Sequence, residues 1–167
     1  MKAAEGSQKR VVLTYGTFDL FHVGHVRLLQ RLRSLGTSLV VGLSTDEFNA
    51  QKGKRTIIPY EARREVLMSC RYVDRVFPEA SWAQKREDVS REGAAIFAMG
   101  DDWAGHFDDL SSVCEVVYLP RTRDVSTTDI KGWMLAEQQE RVASVKTALA
   151  HLGLLVDELS GGASPSH

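Results

Sequence analysis

Five short apolar runs, separated by segments of helical pattern, constrain this chain more than any other feature. Val11–Tyr15, Ser38–Leu43, Arg75–Phe77, Ala94–Met99 and Cys114–Leu119 are largely apolar and rich in β-branched residues, as strands of parallel sheets are when both faces are buried. Between the first two, Val26, Leu28, Leu29, Leu32 and Leu35 recur at helical spacing and stop at Gly36, a natural helix terminator. Pro59–Cys70 opens with Pro-Tyr-Glu and carries Ala62, Val66 and Met68 among charges. Ser81–Glu92 is a further helical segment, with Ser81 as N-cap and Gly93 ending it. This alternation predicts βαβ units in a Rossmann-like α/β fold: an open parallel sheet with helices on both faces, plus a C-terminal helical extension. Ligands of such sheets sit beyond the carboxyl ends of the strands, so those loops are the place to seek chemistry.

Composition removes several classes of function. Twenty-one Lys+Arg against 22 Asp+Glu gives a formal charge of −1, so no global basic field draws the chain to nucleic acid or an anionic membrane. No apolar run approaches the roughly 18 residues of a membrane span. The opening MKAAEGSQKR lacks the apolar stretch of a signal peptide, which predicts a cytoplasmic protein. Cys70 and Cys114 lack CxxC spacing and lie beside apolar residues, which predicts buried free thiols rather than a disulfide.

The loop Gly16-Thr17-Phe18-Asp19-Leu20-Phe21-His22-Val23-Gly24-His25 joins the first strand to an amphipathic helix, where a phosphate-binding turn belongs. It is neither GxGxxG nor a Walker loop. It offers two imidazoles three residues apart at a helix start, where unpaired N–H groups and the positive end of the helix dipole gather. Gly24 between them lets a ligand approach the backbone closely. Together these form an anion site suited to a polyphosphate. A zinc site built on His22, His25 and Asp19 lacks a fourth ligand nearby in sequence, and no resident metal is expected.

GTFDLFHVGH resembles the HxGH signature of the cytidylyltransferase branch of the nucleotidyltransferases. STDEFNAQKGK at 44–54, RYVD at 71–74, SWAQK at 81–85, MGDDW at 99–103 and RTRDVSTT at 121–128 follow in the order of the glycerol-3-phosphate cytidylyltransferase family. The likeness covers roughly residues 10–134. It implies direct in-line attack of a substrate phosphate, that of sn-glycerol 3-phosphate, on the α-phosphate of CTP. The products would be CDP-glycerol, for a teichoic acid or capsular polymer, and pyrophosphate. Positioning and charge neutralisation supply the acceleration of such a step.

By the same resemblance His22, His25, Lys54 and Arg121 are the catalytic groups. Thr17, Phe18, Gly24, Asp102, Thr122, Ser126, Thr127 and Thr128 join them around the nucleotide. Asp19, Lys52, Arg63, Arg71 and Lys85 serve the acceptor, and Mg²⁺ arrives mainly on CTP oxygens. Read without the family, Lys52, Lys54 and Arg55 are a solvated basic loop and Lys85 an exposed helix lysine. Ser126–Thr128 is then a helix cap, Asp102 caps a turn, and Arg63 and Arg71 make salt bridges. Where the family has Glu-Gly this chain has Arg123-Asp124, which adds a basic charge beside the triphosphate loop.

From Leu135 a heptad places Leu135, Val142, Leu149 and Val156 at one position and Gln138, Val145, Leu152 and Leu159 at the other. The pattern is either a coiled-coil seam of a homodimer or a helix packed on its own domain and broken at Gly153. The expected organisation is a flexible N-terminus over 1–10, a nucleotidyltransferase domain over 11–134, a helical extension over 135–159 and a disordered tail over 160–167. Competing functions are the same chemistry on another small phosphorylated alcohol or sugar, or with ATP, a non-catalytic nucleotide-binding scaffold, and a metal-dependent hydrolase.

Overall fold

The structure, a computed structural model, describes residues 9–120 and 126–161. Expectations for the first eight residues, for Arg121–Val125 and for the last six fall outside them. Five strands, β1 Val11–Gly16, β2 Ser38–Ser44, β3 Arg75–Glu79, β4 Ala94–Gly100 and β5 Glu115–Leu119, form one sheet in the order β3-β2-β1-β4-β5. Every pairing is parallel. The five apolar runs therefore became the five strands, each within two residues of its expected ends.

Strand alternation sorts the side chains between two faces. Val12, Val41, Val76, Ile96 and Ala98 pack with Leu29 and Leu32 of α1 (Val23–Ser34) and Leu67 of α3 (Tyr60–Met68). Leu13, Tyr15, Val40, Phe77, Phe97 and Met99 face the other way, against Val89 of α4 (Lys85–Glu92). Helices thus cover both faces, as the near-continuous apolar runs required. Strand order reverses at β1, which lies between β2 and β4. The crevice beyond Gly16 and Gly100 is the topological switch point, where sheets of this kind bind ligands.

Several local expectations are corrected. Helix α1 ends at Ser34 with Leu35 as its C-cap in a right-handed conformation. Gly36 serves a different purpose, because a Cβ there would lie 2.3 Å from the Arg10 carbonyl oxygen. Helix α4 starts at Lys85, not Ser81, because the Gln84 side chain accepts from the Ala80 and Ser81 amides and holds that stretch as a turn. Gly93 ends α4 in the left-handed conformation, as its position implied. The residues of α3 that face the core are Arg63 and Leu67, while Val66 and Met68 are exposed. Helix α2, Asp46–Gln51, was not foreseen, although Thr45 caps it and Asp46 and Glu47 fill its first turn. Both cysteines are free and half-buried.

The last helix, α5, runs unbroken over Thr127–Gly161, through Gly153. The chain divides into two compact units, Met1–Thr127 and Thr128–His167, so the boundary expected at residue 134 falls inside a helix. The seven apolar heptad residues of α5 are all exposed, from 48% at Val142 to 82% at Leu159. Among the described residues no helix is long and apolar enough to cross a membrane.

Candidate active site

The loop leaving β1 is strained and tightly held. Phe18 and Leu20 adopt left-handed backbone conformations, φ 48° and 47°, at a cost of about 1–2 kcal/mol per residue. Gly16 makes room for the Phe18 ring, since a Cβ there would lie 2.6 Å from a ring carbon. The Thr17 hydroxyl donates to Asn49 Oδ1 at 2.9 Å. The Thr17 carbonyl accepts from Arg63 Nη1 at 2.6 Å. The carboxylate of Asp19, 4% exposed, accepts from the amides of Leu20, Ile57 and Ile58. Hydrogen bonds from three other segments thus hold the strained turn in place.

At the end of this turn the two histidines cap α1 reciprocally. The Gly24 amide donates to His22 Nδ1 at 3.1 Å, and the His22 amide donates to His25 Nδ1 at 3.4 Å. This is the logic of a capping box, with imidazole nitrogens in place of hydroxyl and carboxylate. It has a chemical consequence. A neutral imidazole whose Nδ1 accepts a hydrogen bond carries its proton on Nε2, so both rings are fixed as Nε2–H donors. Thr127 agrees with this assignment for His22. Its hydroxyl donates to the Asp19 carbonyl at 3.0 Å, which leaves its oxygen to accept from His22 Nε2 at 3.4 Å. The rings lie 3.9 Å apart. Burial first, and the neighbouring His22 second, push the His25 pKa down to about 3, so His25 is neutral at physiological pH.

A second group forms where β2, β3 and α4 end or begin. Lys85, 3% exposed, pairs with Glu79 at 2.5 Å. Lys52 lies 3.7 Å from the same carboxylate, donates to Ser44 Oγ at 3.0 Å and sits 4.1 Å above the Phe48 ring. Burial lowers the Lys52 pKa, and Glu79 works against that shift. A cavity of about 570 Å³ opens beside Lys85, walled by Trp82, Trp103, His106 and Phe107.

The anticipated site residues divide clearly. Thr17, Phe18, His22, Gly24, His25 and Thr127 come together at the end of β1. Lys52 and Lys85 converge on Glu79, with Lys85 buried rather than the exposed lysine its helix position suggested. Lys54 is exposed in the loop after α2, and Asp102 is exposed in the 3-10 turn Asp101–Trp103 that follows β4. Ser126 is half-buried, Thr128 opens the second unit, and Arg121 and Thr122 lie outside the described residues.

Three acceptor contacts are corrected. Arg63 is 2% exposed and its guanidinium is spent on the carbonyls of Thr17, Ser44 and Ile58 and on Asp46. Asp19 is spent on backbone amides. Both position the loop from behind. Arg71 follows α3 as it returns to the opposite edge of the sheet, where Asp74 exchanges hydrogen bonds with Leu39 near the start of β2. Within this chain it is therefore remote from the strand ends that carry the site. Residues missed from sequence are Asp46, Asn49, Ser44 and Glu79. The last two close β2 and β3 at the ligand-binding edge, which was the available signal.

Fold and site together define an open α/β domain that presents two imidazoles, not a glycine fingerprint, at its switch point, and two lysines beyond the ends of β2 and β3. Comparison with known proteins gives the narrower class. Residues 13–141 match the family described as cytidylyltransferase-like. The chain is 56% identical over 120 residues to the glycerol-3-phosphate cytidylyltransferase of Bacillus subtilis strain 168, covering 72% of this chain and 93% of that protein. It is 53% identical to the enzyme of the same name from Staphylococcus aureus strain NCTC 8325, over 72% and 91% of the two chains. A lipopolysaccharide core biosynthesis protein from Thermoplasma volcanium shares the fold, with a TM-score of 0.59 at 22% identity over 68% of this chain and 98% of that one. This chain belongs to the cytidylyltransferase-like family.

Proposed function

We propose that the protein transfers CMP from CTP to sn-glycerol 3-phosphate, giving CDP-glycerol and pyrophosphate. An oxygen of the acceptor phosphate attacks the α-phosphorus in line, the bond from that phosphorus to the bridging α–β oxygen breaks, and pyrophosphate leaves. The observation that carries this reading is the pair of Nε2–H donors fixed at the start of α1, at the switch point. Neutral donors held in place before the reaction stabilise charge that develops on a pentacoordinate phosphorus without reorganising during it. The helix N-terminus adds its dipole and amides. Phe18 lines the nucleotide pocket, Lys54 and Arg121 take the triphosphate, and Lys52 and Lys85 take the acceptor phosphate beside the aromatic cavity.

The carboxylate of the histidine loop, Asp19, already serves three backbone amides. This fits Mg²⁺ held chiefly by the triphosphate oxygens, where it supplies charge neutralisation. The reaction belongs in the cytoplasm, with its nucleotide substrate, and its product would feed a teichoic acid or capsular polymer.

Pyrophosphate release from Mg-CTP and Mg-ATP, each with and without sn-glycerol 3-phosphate, tests the assignment. Release is expected only from CTP with the acceptor present. Release from ATP, or from CTP without any acceptor, overturns it. CTP binding without release keeps the nucleotide site and rejects glycerol 3-phosphate as acceptor.

The same reading includes a homodimer. Its supports are the family resemblance and the exposed heptad residues of α5, since seven apolar side chains on one seam match a coiled-coil partner. Light scattering should give twice the 18.6 kDa mass of one chain. A monomeric mass, unchanged when residues 135–167 are deleted, removes both supports.

A further inference from the structure

Glu79 ends β3 with its carboxylate 2% exposed and all of its polar surroundings contributed by other elements. Oε1 receives Lys85 from the start of α4. Oε2 receives the Ser44 hydroxyl from the end of β2, and Ser44 Oγ in turn accepts from Lys52, just after α2. Two lysines from different helices therefore share one buried counter-ion. Aromatic rings flank both ammonium groups: Lys52 Nζ lies over Phe48 and Trp82, and Lys85 Nζ over Tyr15, Trp82 and Phe107.

Each ammonium is thereby confined, and the trio keeps one net positive charge at the mouth of the cavity. A buried ammonium is costly unless it is paired and hydrogen-bonded. Among the described residues Lys85 makes an ion pair with Glu79 alone.

We propose that Glu79 is a positioning residue that holds Lys52 and Lys85 as an ordered, charged pair for the acceptor's phosphate. This rests on the reading that the two lysines bind that phosphate. Glu79 itself does not touch the reacting atoms. The acceptor competes for ammonium groups already placed, so little side-chain ordering remains for the binding step. The other charged or titratable groups around the trio are Lys54 beside Lys52, and Tyr15 with its hydrogen-bonded partner Asp88 beneath Lys85. Arg91 pairs with Asp88, and Arg86, His106 and Asp109 line the cavity wall. The carboxylates among these are Asp88, already engaged by Tyr15, Gln84 and Arg91, and Asp109, 3.8 Å from Arg86. Among the described residues neither forms an ion pair with Lys52 or Lys85.

The test is Glu79→Gln, which keeps shape and removes charge, with steady-state kinetics in both substrates. Without the counter-ion the two ammonium groups repel each other and lose their common anchor. The expected result is an acceptor KM about tenfold higher and a CTP KM within about twofold of wild type, each tenfold being about 1.4 kcal/mol. An acceptor KM that is unchanged or lower, or a CTP KM that rises equally, overturns the proposal.

Titration of tryptophan emission with inorganic phosphate separates this proposal from the activity on which it rests. If wild type releases no pyrophosphate with glycerol 3-phosphate, the activity assignment fails. The role of Glu79 is then judged by phosphate affinity, expected to fall about tenfold in the variant. Equal affinity in both proteins, or no response in wild type, overturns it. Should Glu79→Gln not fold, Ser44→Ala removes only the hydroxyl that orders Lys52 against Glu79. A threefold rise confined to the acceptor KM is then expected, and an unchanged value rejects the idea.

Discussion

Alanine at His22 or His25 lowers kcat by about 10²–10³-fold, the usual cost of removing one donor placed for transition-state charge. CTP affinity changes far less, because the donors act mainly on charge that develops during transfer. His22→Ala also removes an N-cap and costs about 1 kcal/mol of stability. His22→Asn distinguishes the two roles, since its short side chain still accepts from the helix amides while the outward N–H donor is lost. Its unfolding midpoint should return toward wild type and its kcat should not. Near-wild-type turnover in either alanine variant overturns the assignment.

The same geometry fixes a pH dependence of stability. His25 has its pKa lowered to about 3 in the folded protein, against about 6.5 in the unfolded chain. Between those values the unfolded state binds the extra proton. The contribution of His25 is therefore whole above about pH 6.5 and falls by about 1.4 kcal/mol for each pH unit toward pH 3. Unfolding of His25→Gln across that range should lack this slope, and an identical slope in both proteins rejects it.

Arg63→Met destabilises the fold by about 3–5 kcal/mol, because each buried carbonyl left without its donor costs about 1–3 kcal/mol. That is a large part of the 5–15 kcal/mol by which domains are stable. The lost guanidinium leaves the carbonyls of Thr17, Ser44 and Ile58 short of their donors and Asp46 without its partner. Burial raises the Asp46 pKa, but the Tyr60 amide, Arg63 and Thr56 outweigh it and hold the carboxyl below its usual value. Arg63→Lys should recover little, because one ammonium cannot span acceptors that a planar fork reaches in several directions. A chemical-denaturation midpoint that shifts by less than about 1 kcal/mol rules out this structural role. Any loss of acceptor binding in Arg63 variants follows from the slackened loop.

Much of this was legible in the residues. The five apolar runs could satisfy their backbone only by pairing, and being apolar on both faces they required helices on both sides. The His22–Gly24–His25 spacing marked a helix start before any coordinate placed it there. Sequence failed where charge is buried. Lys85 resembled an exposed helix lysine, and Arg63 an acceptor-binding or salt-bridging cation, because their partners, Glu79 for one and Thr17 and Ser44 for the other, come from distant parts of the chain. The apolar residues read in that segment, Ala62, Val66 and Met68, are exposed on α3, whereas the carbonyls of Thr17 and Ser44 hold Arg63 inward. Gly36 resembled a helix cap, and only the approach of the Arg10 carbonyl reveals its steric role.

By itself the sequence determined the sheet, its switch point and the anion-binding helix start, because these depend on local periodicity and on chemistry carried within ten consecutive residues. Tertiary structure alone decided which cations are buried and paired within the frame, and on which nitrogen each histidine carries its proton. Those outcomes depend on which acceptors the fold brings within 3 Å of a buried donor, and an unsatisfied buried charge costs more than any local preference can offset.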